Sequence, residues 1–155
     1  MSKIINAEIK CPKCQNQFEV SLYRTIWGER PENRELVMNN RINVKTCPSC
    51  QEEIRIVFPF LYTNAIKQFA VWWEPFHDSS IDTMRDGFAS ISGKNGYLAS
   101  ALRIKDWEEF KNTIVKFEKG EIQNPFQENS KDLIQQRKDL LKALKRLNDN
   151  NDKNV

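Results

Sequence analysis

The sequence contains little histidine, no long apolar run and no dense block of one charge. A single histidine among 155 residues gives little support to serine–histidine or cysteine–histidine nucleophilic schemes. No stretch approaches the roughly 20 apolar residues of a membrane-spanning helix, and the first residues are too few and too polar for a secretory signal. We therefore expect a cytoplasmic protein with no membrane segment.

The charge is nearly balanced, with 24 Lys and Arg against 21 Asp and Glu and a formal net charge of +3. No segment carries the single-sign block that is typical of a nucleic-acid-binding arm or an acidic tail. A nucleic-acid partner would therefore depend on local clustering of basic residues.

The composition indicates a folded domain with a modest core. Apolar residues make up 39% of the chain, below the roughly 45–50% of an average globular protein. Aromatic residues make up 10%, including four Trp, which excludes wholesale disorder. The length suits one domain with an appendage. We expect a domain over residues 1–122, followed by a linker, an amphipathic helix and a polar tail over residues 123–155.

The first sixty residues alternate between strand-like and helix-like patterns. Residues 18–22 and 54–58 alternate apolar and polar side chains, which predicts strands. Pro31 precedes residues 32–38, where proline and acidic residues suit the first turn of a helix.

The next sixty residues contain a predicted strand, a predicted hairpin and a predicted helix. Residues 69–73 form a short apolar run. Residues 88–91 and 97–104 flank an Asn-Gly pair, which predicts a hairpin. Asp106 precedes a helix with Glu109 three residues later, as in a capping box, and Gly120 ends it.

The four cysteines form two copies of one motif, Cys-Pro-x-Cys, with Cys11 and Cys14 in the first and Cys47 and Cys50 in the second. Zinc prefers thiolates in a tetrahedron at about 2.3 Å. Two residues between the cysteines let one tight turn direct both sulfurs to one point, and proline stiffens that turn. Four thiolates leave no open coordination position, so the motifs predict one structural zinc per chain.

Two other roles for the cysteines fit the sequence less well. Disulfides are disfavoured in a chain expected in the cytoplasm, and a thioredoxin-like redox pair needs a βαβ unit that the pattern does not show. The 32 residues between Cys14 and Cys47 exceed the roughly 15–20 of a compact zinc ribbon. The predicted strand and helix would fill that excess, because loop closure costs grow slowly with length.

At these motifs the sequence resembles the bacterial CpXC family, which is named for two Cys-Pro-x-Cys motifs. The resemblance covers roughly residues 5–122. The matching segments are residues 41–50, residues 58–64, the strand-like residues 66–75 that end in Trp-Glu-Pro, and the helix at 106–119 followed by Gly120. The resemblance implies a zinc ribbon with an α+β extension, and it implies no particular activity.

The residue after each second cysteine departs from the usual knuckle, which places glycine there. This chain has Gln15 and Gln51. A non-glycine residue in the left-handed conformation costs about 1–2 kcal/mol, which metal binding worth about 10–16 kcal/mol can offset.

Two groups of polar residues have a functional and a structural interpretation. His77 could be a catalytic base or a further metal ligand, but an exposed loop residue is the favoured interpretation. Asp78, Asp82 and Asp86 recur every four residues. A solvated loop or helix face is favoured for them over a divalent cation site.

Four aromatic residues could form a stacking surface for bases or a peptide, although a core role is favoured. These are Tyr62, Trp72, Trp73 and Trp107. Adjacent tryptophans in a strand point to opposite faces. At least one of Trp72 and Trp73 is therefore expected to be exposed or covered by another element.

The C-terminal segment predicts an amphipathic helix that begins near Asn129 or Ser130. Its apolar stripe consists of Leu133, Leu140, Leu141, Leu144 and Leu147. Self-association or a protein partner could use Leu140, Leu144 and Leu147. Basic residues beside the stripe, Arg137, Lys138, Lys142, Lys145 and Arg146, could contact phosphate. The stripe spans only about two heptads, short of a coiled coil, so docking on the domain or on a partner is favoured.

These observations predict an α+β fold. It would comprise a zinc ribbon with a strand and helix insertion, a small antiparallel sheet with a packed helix, and a C-terminal amphipathic helix. The leading function hypothesis is a non-enzymatic, zinc-stabilised binding or adaptor module. The alternatives are a nucleic-acid-binding zinc-ribbon protein, by analogy of fold alone, and an enzyme with an unrecognised site.

Overall fold

The computed structural model describes residues 2–123, 135 and 138–143 of the chain. Over residues 2–123 the structure consists of two small β-hairpins and a four-stranded sheet with helices on both faces. The mixed α+β class predicted from the sequence is therefore confirmed.

The two hairpins are separate antiparallel sheets. β1 (Ile4–Lys10) pairs with β2 (Gln17–Tyr23), from Ile4 opposite Tyr23 to Lys10 opposite Gln17. β4 (Val44–Thr46) pairs with β5 (Glu53–Arg55). Each turn between paired strands carries one Cys-Pro-x-Cys motif.

The central sheet has the strand order β3-β6-β7-β8. Its strands are β3 (Thr25–Trp27), β6 (Phe60–Asn64), β7 (Phe69–Trp73) and β8 (Leu102–Ile104). The two outer pairs are parallel and β6 with β7 is antiparallel. The sheet is thus mixed, whereas the sequence predicted a small antiparallel one, because strands from distant parts of the chain join its edges.

Helices cover both faces of this sheet. α1 (Pro31–Met38) and α3 (Trp107–Lys119) contribute side chains to the larger apolar cluster on one face. α2 (Ser79–Ser92) contributes Ile81 to the smaller cluster on the other face. Every residue of β6 and β7 is buried, which explains why β7 is an uninterrupted apolar run rather than an alternating strand.

The predicted hairpin over residues 88–91 and 97–104 is wrong. Residues 88–91 belong to α2. Asp78, the residue before this helix, caps it by accepting a hydrogen bond from the backbone N–H of Ser80 at 2.9 Å. Ile81, Met84 and Phe88 follow at helical spacing and pack on the sheet. Only the end of the second segment forms a strand, and it pairs with β7 in parallel. The helical spacing of Ile81, Met84 and Phe88 therefore determines the structure here, and the Asn-Gly pair does not form the turn of a hairpin.

The predicted limits of α3 are confirmed. The Asp106 carboxylate accepts a hydrogen bond from the backbone N–H of Glu109 at 2.8 Å. At the other end Gly120 adopts a left-handed φ of 73°, and the next N–H bonds back to Lys116. Both ends are therefore fixed by local interactions, which is why the sequence predicts them well.

Replacing Gly120 with alanine is expected to lower the free energy of unfolding by about 1 kcal/mol, because the left-handed backbone disfavours a Cβ atom. An added Cβ would meet no atom within 4 Å, so conformational strain alone should decide the result. Gly87 is the matched control, since it is exposed within α2 and has the same open space. Gly87→Ala should raise the free energy of unfolding by about 0.5–1 kcal/mol. Urea unfolding of both variants checks this, and changes of the same sign would contradict it.

Part of the predicted C-terminal helix is described. Residues 138–143 are helical, and Leu140 and Leu141 are 65% and 53% exposed. Leu133, Leu144 and Leu147 lie outside the described residues. Among the residues that the structure describes, no helix is long and apolar enough to cross a membrane.

Candidate metal centre

The first cysteine motif forms the turn between β1 and β2. The Cys11 carbonyl accepts a hydrogen bond from the N–H of Gln15 at 3.0 Å, and the Cys11 N–H donates to the carbonyl of Asn16 at 2.9 Å. These two bonds fold the chain tightly around the motif and bring Cys14 back beside Cys11. The strands on either side continue directly from the turn, so the hairpin holds the cysteines in place.

The second motif repeats this geometry between β4 and β5. The Cys47 carbonyl accepts from the N–H of Gln51 at 3.0 Å, and the Cys47 N–H donates to the carbonyl of Glu52 at 2.8 Å. The same backbone pattern at both motifs follows from the same Cys-Pro-x-Cys-Gln sequence. Two equivalent turns therefore present four thiols to one another.

The four sulfur atoms lie together. All are within 4.8 Å of one another, and the Cys11–Cys50 and Cys14–Cys47 sulfur pairs are each 3.6 Å apart. All four cysteines are free, and these distances are far beyond the roughly 2.05 Å of a disulfide. A tetrahedral metal with sulfur bonds of about 2.3 Å separates its sulfurs by about 3.8 Å. The cluster thus has the spacing of a four-thiolate metal site.

Cys47 and Cys50 differ in how readily their thiols ionise. Burial raises the pKa of the Cys47 thiol, but hydrogen bonds from the backbone of Cys50 and Ser49 and from neighbouring thiols outweigh burial and lower it to about 6. For Cys50, the Glu52 backbone N–H lowers the pKa, yet burial and the other three thiols raise it to about 12. One thiolate forms readily and then opposes the next. A divalent cation removes that repulsion, so four thiolates at this spacing suit a metal ion.

Gln15 and Gln51 adopt the left-handed conformation expected after each motif, with φ values of 63° and 60°. Each side-chain amide donates back to the carbonyl of the motif proline, Pro12 at 3.3 Å and Pro48 at 3.4 Å. Glycine has no side chain to make this bond. The hydrogen bond therefore partly offsets the backbone strain that glutamine carries here.

Gln51→Ala is expected to lower the free energy of unfolding by about 1 kcal/mol, because alanine keeps the strained backbone and loses the bond to Pro48. Gln51→Gly is the matched control and should be close to neutral, since relief of strain balances the lost bond. Thermal unfolding of the two variants tests this. A glycine variant as unstable as the alanine variant would contradict it.

Asn43 connects the two hairpins, a role that no sequence motif indicates. It is 4% exposed, and its side-chain oxygen accepts a hydrogen bond from the N–H of Tyr23 at the end of β2 at 2.8 Å. Its own carbonyl accepts from the N–H of Ile56 beyond β5 at 3.0 Å. Its φ of 54° is left-handed, which asparagine tolerates. Asn43 therefore fixes one hairpin against the other.

His77 has the exposed position expected of it. Its side chain is 77% exposed, and its Nδ1 lies 3.8 Å from the carboxylate of Glu74. Among the described residues, the four cysteines are the only group of three or more His, Cys, Asp or Glu side chains that cluster as metal ligands. His77 is not one of them.

Two of the three regularly spaced aspartates have protein partners. Asp78 caps α2 and pairs with the buried Arg24 at 2.9 Å, and Asp82 pairs with Arg103 at 2.6 Å. The third, Asp86, is exposed. Asp82 and Asp86 lie on the exposed helix face that was favoured for them, whereas Asp78 is half-buried as a helix cap and ion-pair partner.

The suggested aromatic stacking surface is not observed. Trp72 is fully buried beside Ile81 of α2, and Trp73 is 6% exposed on the opposite face. Tyr62 is fully buried, and Trp107 packs edge-on against Trp73 with ring centroids 4.7 Å apart. Opposite orientation of the two tryptophans is confirmed, and helices on both faces cover them.

A protein-family model matches most of the chain. The family model described as "CpXC protein" matches residues 9–124, which include both cysteine motifs and end just after α3. No curated protein and no solved structure matches the chain. Since the family model spans well over half of the sequence and the structure brings its two named motifs together, the chain belongs to the CpXC protein family.

Proposed function

We propose that the chain is a zinc-stabilised, non-enzymatic binding module whose metal centre has a structural role. Cys11, Cys14, Cys47 and Cys50 bind one zinc ion as thiolates. The observation that carries this proposal is the sulfur cluster, because its 3.6 Å separations approach those of a tetrahedral tetrathiolate site. Tetrahedral four-sulfur sites take zinc or iron, and the paired Cys-x-x-Cys motifs favour zinc.

A structural role follows from the ligand set and from the fold around it. Four thiolates complete the coordination shell and leave no position for a substrate or water. Each motif stands at the end of a two-stranded hairpin, and such hairpins are marginally stable by themselves. A metal bonded to both turns joins hairpins that are separate in the sequence. We assign the predicted zinc ribbon to this pair of hairpins as part of the proposal.

Zinc titration of metal-free, fully reduced protein tests the proposal. We expect the unfolding temperature to rise until one equivalent of zinc is bound and then to level off, because only the folded state presents all four thiolates. Magnesium, which prefers oxygen ligands, is the control and should change nothing. A metal-free protein as stable as the zinc-treated one would contradict a structural zinc. So would protein that is purified with iron bound instead of zinc.

The binding role is assigned to the C-terminal helix. Leu140 and Leu141 are exposed in residues 138–143, and the predicted stripe would continue through Leu144 and Leu147. We expect the full chain to associate with itself or with a protein partner through these leucines. Sedimentation at increasing concentration, with Leu140→Lys against the exposed control Lys142→Glu, tests self-association. If wild type stays monomeric at every concentration, self-association is excluded, and if Leu140→Lys associates as wild type does, the leucine stripe is not the contact.

A further inference from the structure

A cavity of about 350 Å³ lies on the face of the central sheet that carries α2. Its apolar walls are Trp27, Leu61, Met84, Phe88, Tyr97 and Leu98. This volume is at the lower end of the range for small-molecule sites, which are typically apolar with a few polar groups. The metal centre contributes no residue to this lining, so the inference is independent of the proposed function.

The cavity exists because α2 covers only part of this face. The apolar cluster under α2 contains Leu61 of β6 and Trp72 of β7 but no residue of the edge strand β3. Trp27 of β3 lies opposite Thr63 of β6 in the parallel register. Both therefore point to the same face as Leu61, beside the helix rather than beneath it. The uncovered strip between β3 and α2 forms the cavity.

Two side chains of the lining contain a buried oxygen without a hydrogen-bond partner. Thr63 is only 7% exposed, and neither its hydroxyl oxygen nor Oε2 of Glu29 has a partner in the described part of the chain. Such groups are costly to leave unsatisfied. The other lining threonine, Thr25, is already satisfied, because its hydroxyl accepts from the backbone N–H of Lys3 at 2.8 Å. A ligand in the cavity could therefore donate hydrogen bonds to the free oxygens of Glu29 and Thr63.

The chemistry of these groups selects the ligand. An ionised carboxylate only accepts hydrogen bonds and a hydroxyl can also accept, whereas an ammonium group offers three donors. A carboxylate or phosphate ligand would be repelled by Glu29. The aromatic walls suit an apolar body and also attract a cation. We propose that this cavity binds a small primary amine with an apolar or aromatic body, with its ammonium group directed to Glu29 and Thr63.

Two cations near the cavity bear on this assignment. Lys3 belongs to the lining, and the Arg30 guanidinium lies 5.9 Å from the centre of the Trp27 ring. Among the described residues, neither forms an ion pair with Glu29. Since Lys3 carries the same charge as the proposed ligand, Lys3→Met should leave amine binding unchanged or make it tighter.

Three probes of nearly equal size test the proposal on the full chain. They are 2-phenylethylamine, 2-phenylethanol and 3-phenylpropionate, followed by NMR shifts at Trp27, Thr63 and Phe88. We expect saturable shifts with the amine at concentrations up to about 10 mM, and weaker binding of the alcohol by about tenfold or more, because a charge-assisted hydrogen bond is lost. The acid should bind weakest.

Variants distinguish this site from unspecific binding. Glu29→Gln should remove the preference for the amine over the alcohol, whereas the control Glu32→Gln, an exposed residue of α1 outside the cavity, should keep it. Met84→Trp should fill the cavity and weaken all three probes. The proposal is overturned if no probe gives saturable shifts, if the acid binds as tightly as the amine, or if Glu29→Gln keeps the preference.

Discussion

Replacing Cys47 with serine is expected to abolish zinc binding and to unfold both hairpins at 25 °C. Cys47 is fully buried, and its sulfur lies 3.6 Å from that of Cys14 in the other hairpin. A serine hydroxyl stays protonated and is a poor zinc ligand. The metal would therefore lose one of its four sulfur ligands and one of the four negative charges around it. Zinc-finger peptides gain about 10–16 kcal/mol of folding energy from their metal, comparable with the entire stability of a typical domain.

Zinc content and urea unfolding monitored by circular dichroism measure this effect. Ser49→Ala is the matched control, because it changes the same turn without touching a ligand. The control should retain one zinc and an unfolding midpoint close to that of wild type. A Cys47→Ser protein with the wild-type midpoint would show that the cysteines do not hold the hairpins together.

The second large effect is expected for Arg103→Leu. Glu74, at the end of β7, is 5% exposed, and both of its carboxylate oxygens accept from the Arg103 guanidinium, at 2.5 Å and 2.6 Å. Removing the arginine leaves a buried carboxylate with its main partner gone. We expect the free energy of unfolding to fall by about 3 kcal/mol at pH 7.

This loss should depend on pH. The hydrogen bonds from Arg103 are the largest influence on Glu74 and, with smaller contributions from the Asp78 backbone N–H and the Arg103 charge, they outweigh burial and hold the pKa of Glu74 below its ordinary value of 4.5. The carboxylate therefore contributes stability above that value, and this contribution is lost as pH falls through the lower folded-state pKa. In Arg103→Leu, burial favours the neutral acid, so the deficit relative to wild type should shrink between pH 7 and pH 4.

Urea midpoints at both pH values test the pair. The control is Arg41→Leu, which breaks a similarly bidentate pair with Glu53 in which both side chains are more than half exposed. Its effect should be much smaller, because water screens exposed pairs. The double variant Arg103→Leu/Glu74→Leu should recover part of the loss. Equal losses in the two single arginine variants would contradict the account.

The features that could be predicted from the sequence are those set by local interactions. Residues 69–73 form the predicted strand, and α3 has the predicted cap at Asp106 and stop at Gly120. The cysteine cluster was predicted because each Cys-Pro-x-Cys motif contains its own turn. Gln15 and Gln51 have the left-handed backbone that the usual knuckle has after its second cysteine.

The features that the sequence did not predict depend on contacts between distant residues. β3 has three residues and is a strand because it lies parallel to β6, more than thirty residues away. The mixed sheet and the cavity beside β3 follow from that pairing. Asn43 acts through two backbone groups of other segments. No periodicity within one segment can show such contacts.

The metal content of protein purified under reducing conditions without chelator tests the central claim most directly. Elemental analysis should find one zinc per chain, and thiol labelling of the native protein should find all four cysteines protected until zinc is removed. Metal-free protein whose four thiols react freely, while the hairpins remain folded, would contradict the proposed zinc centre.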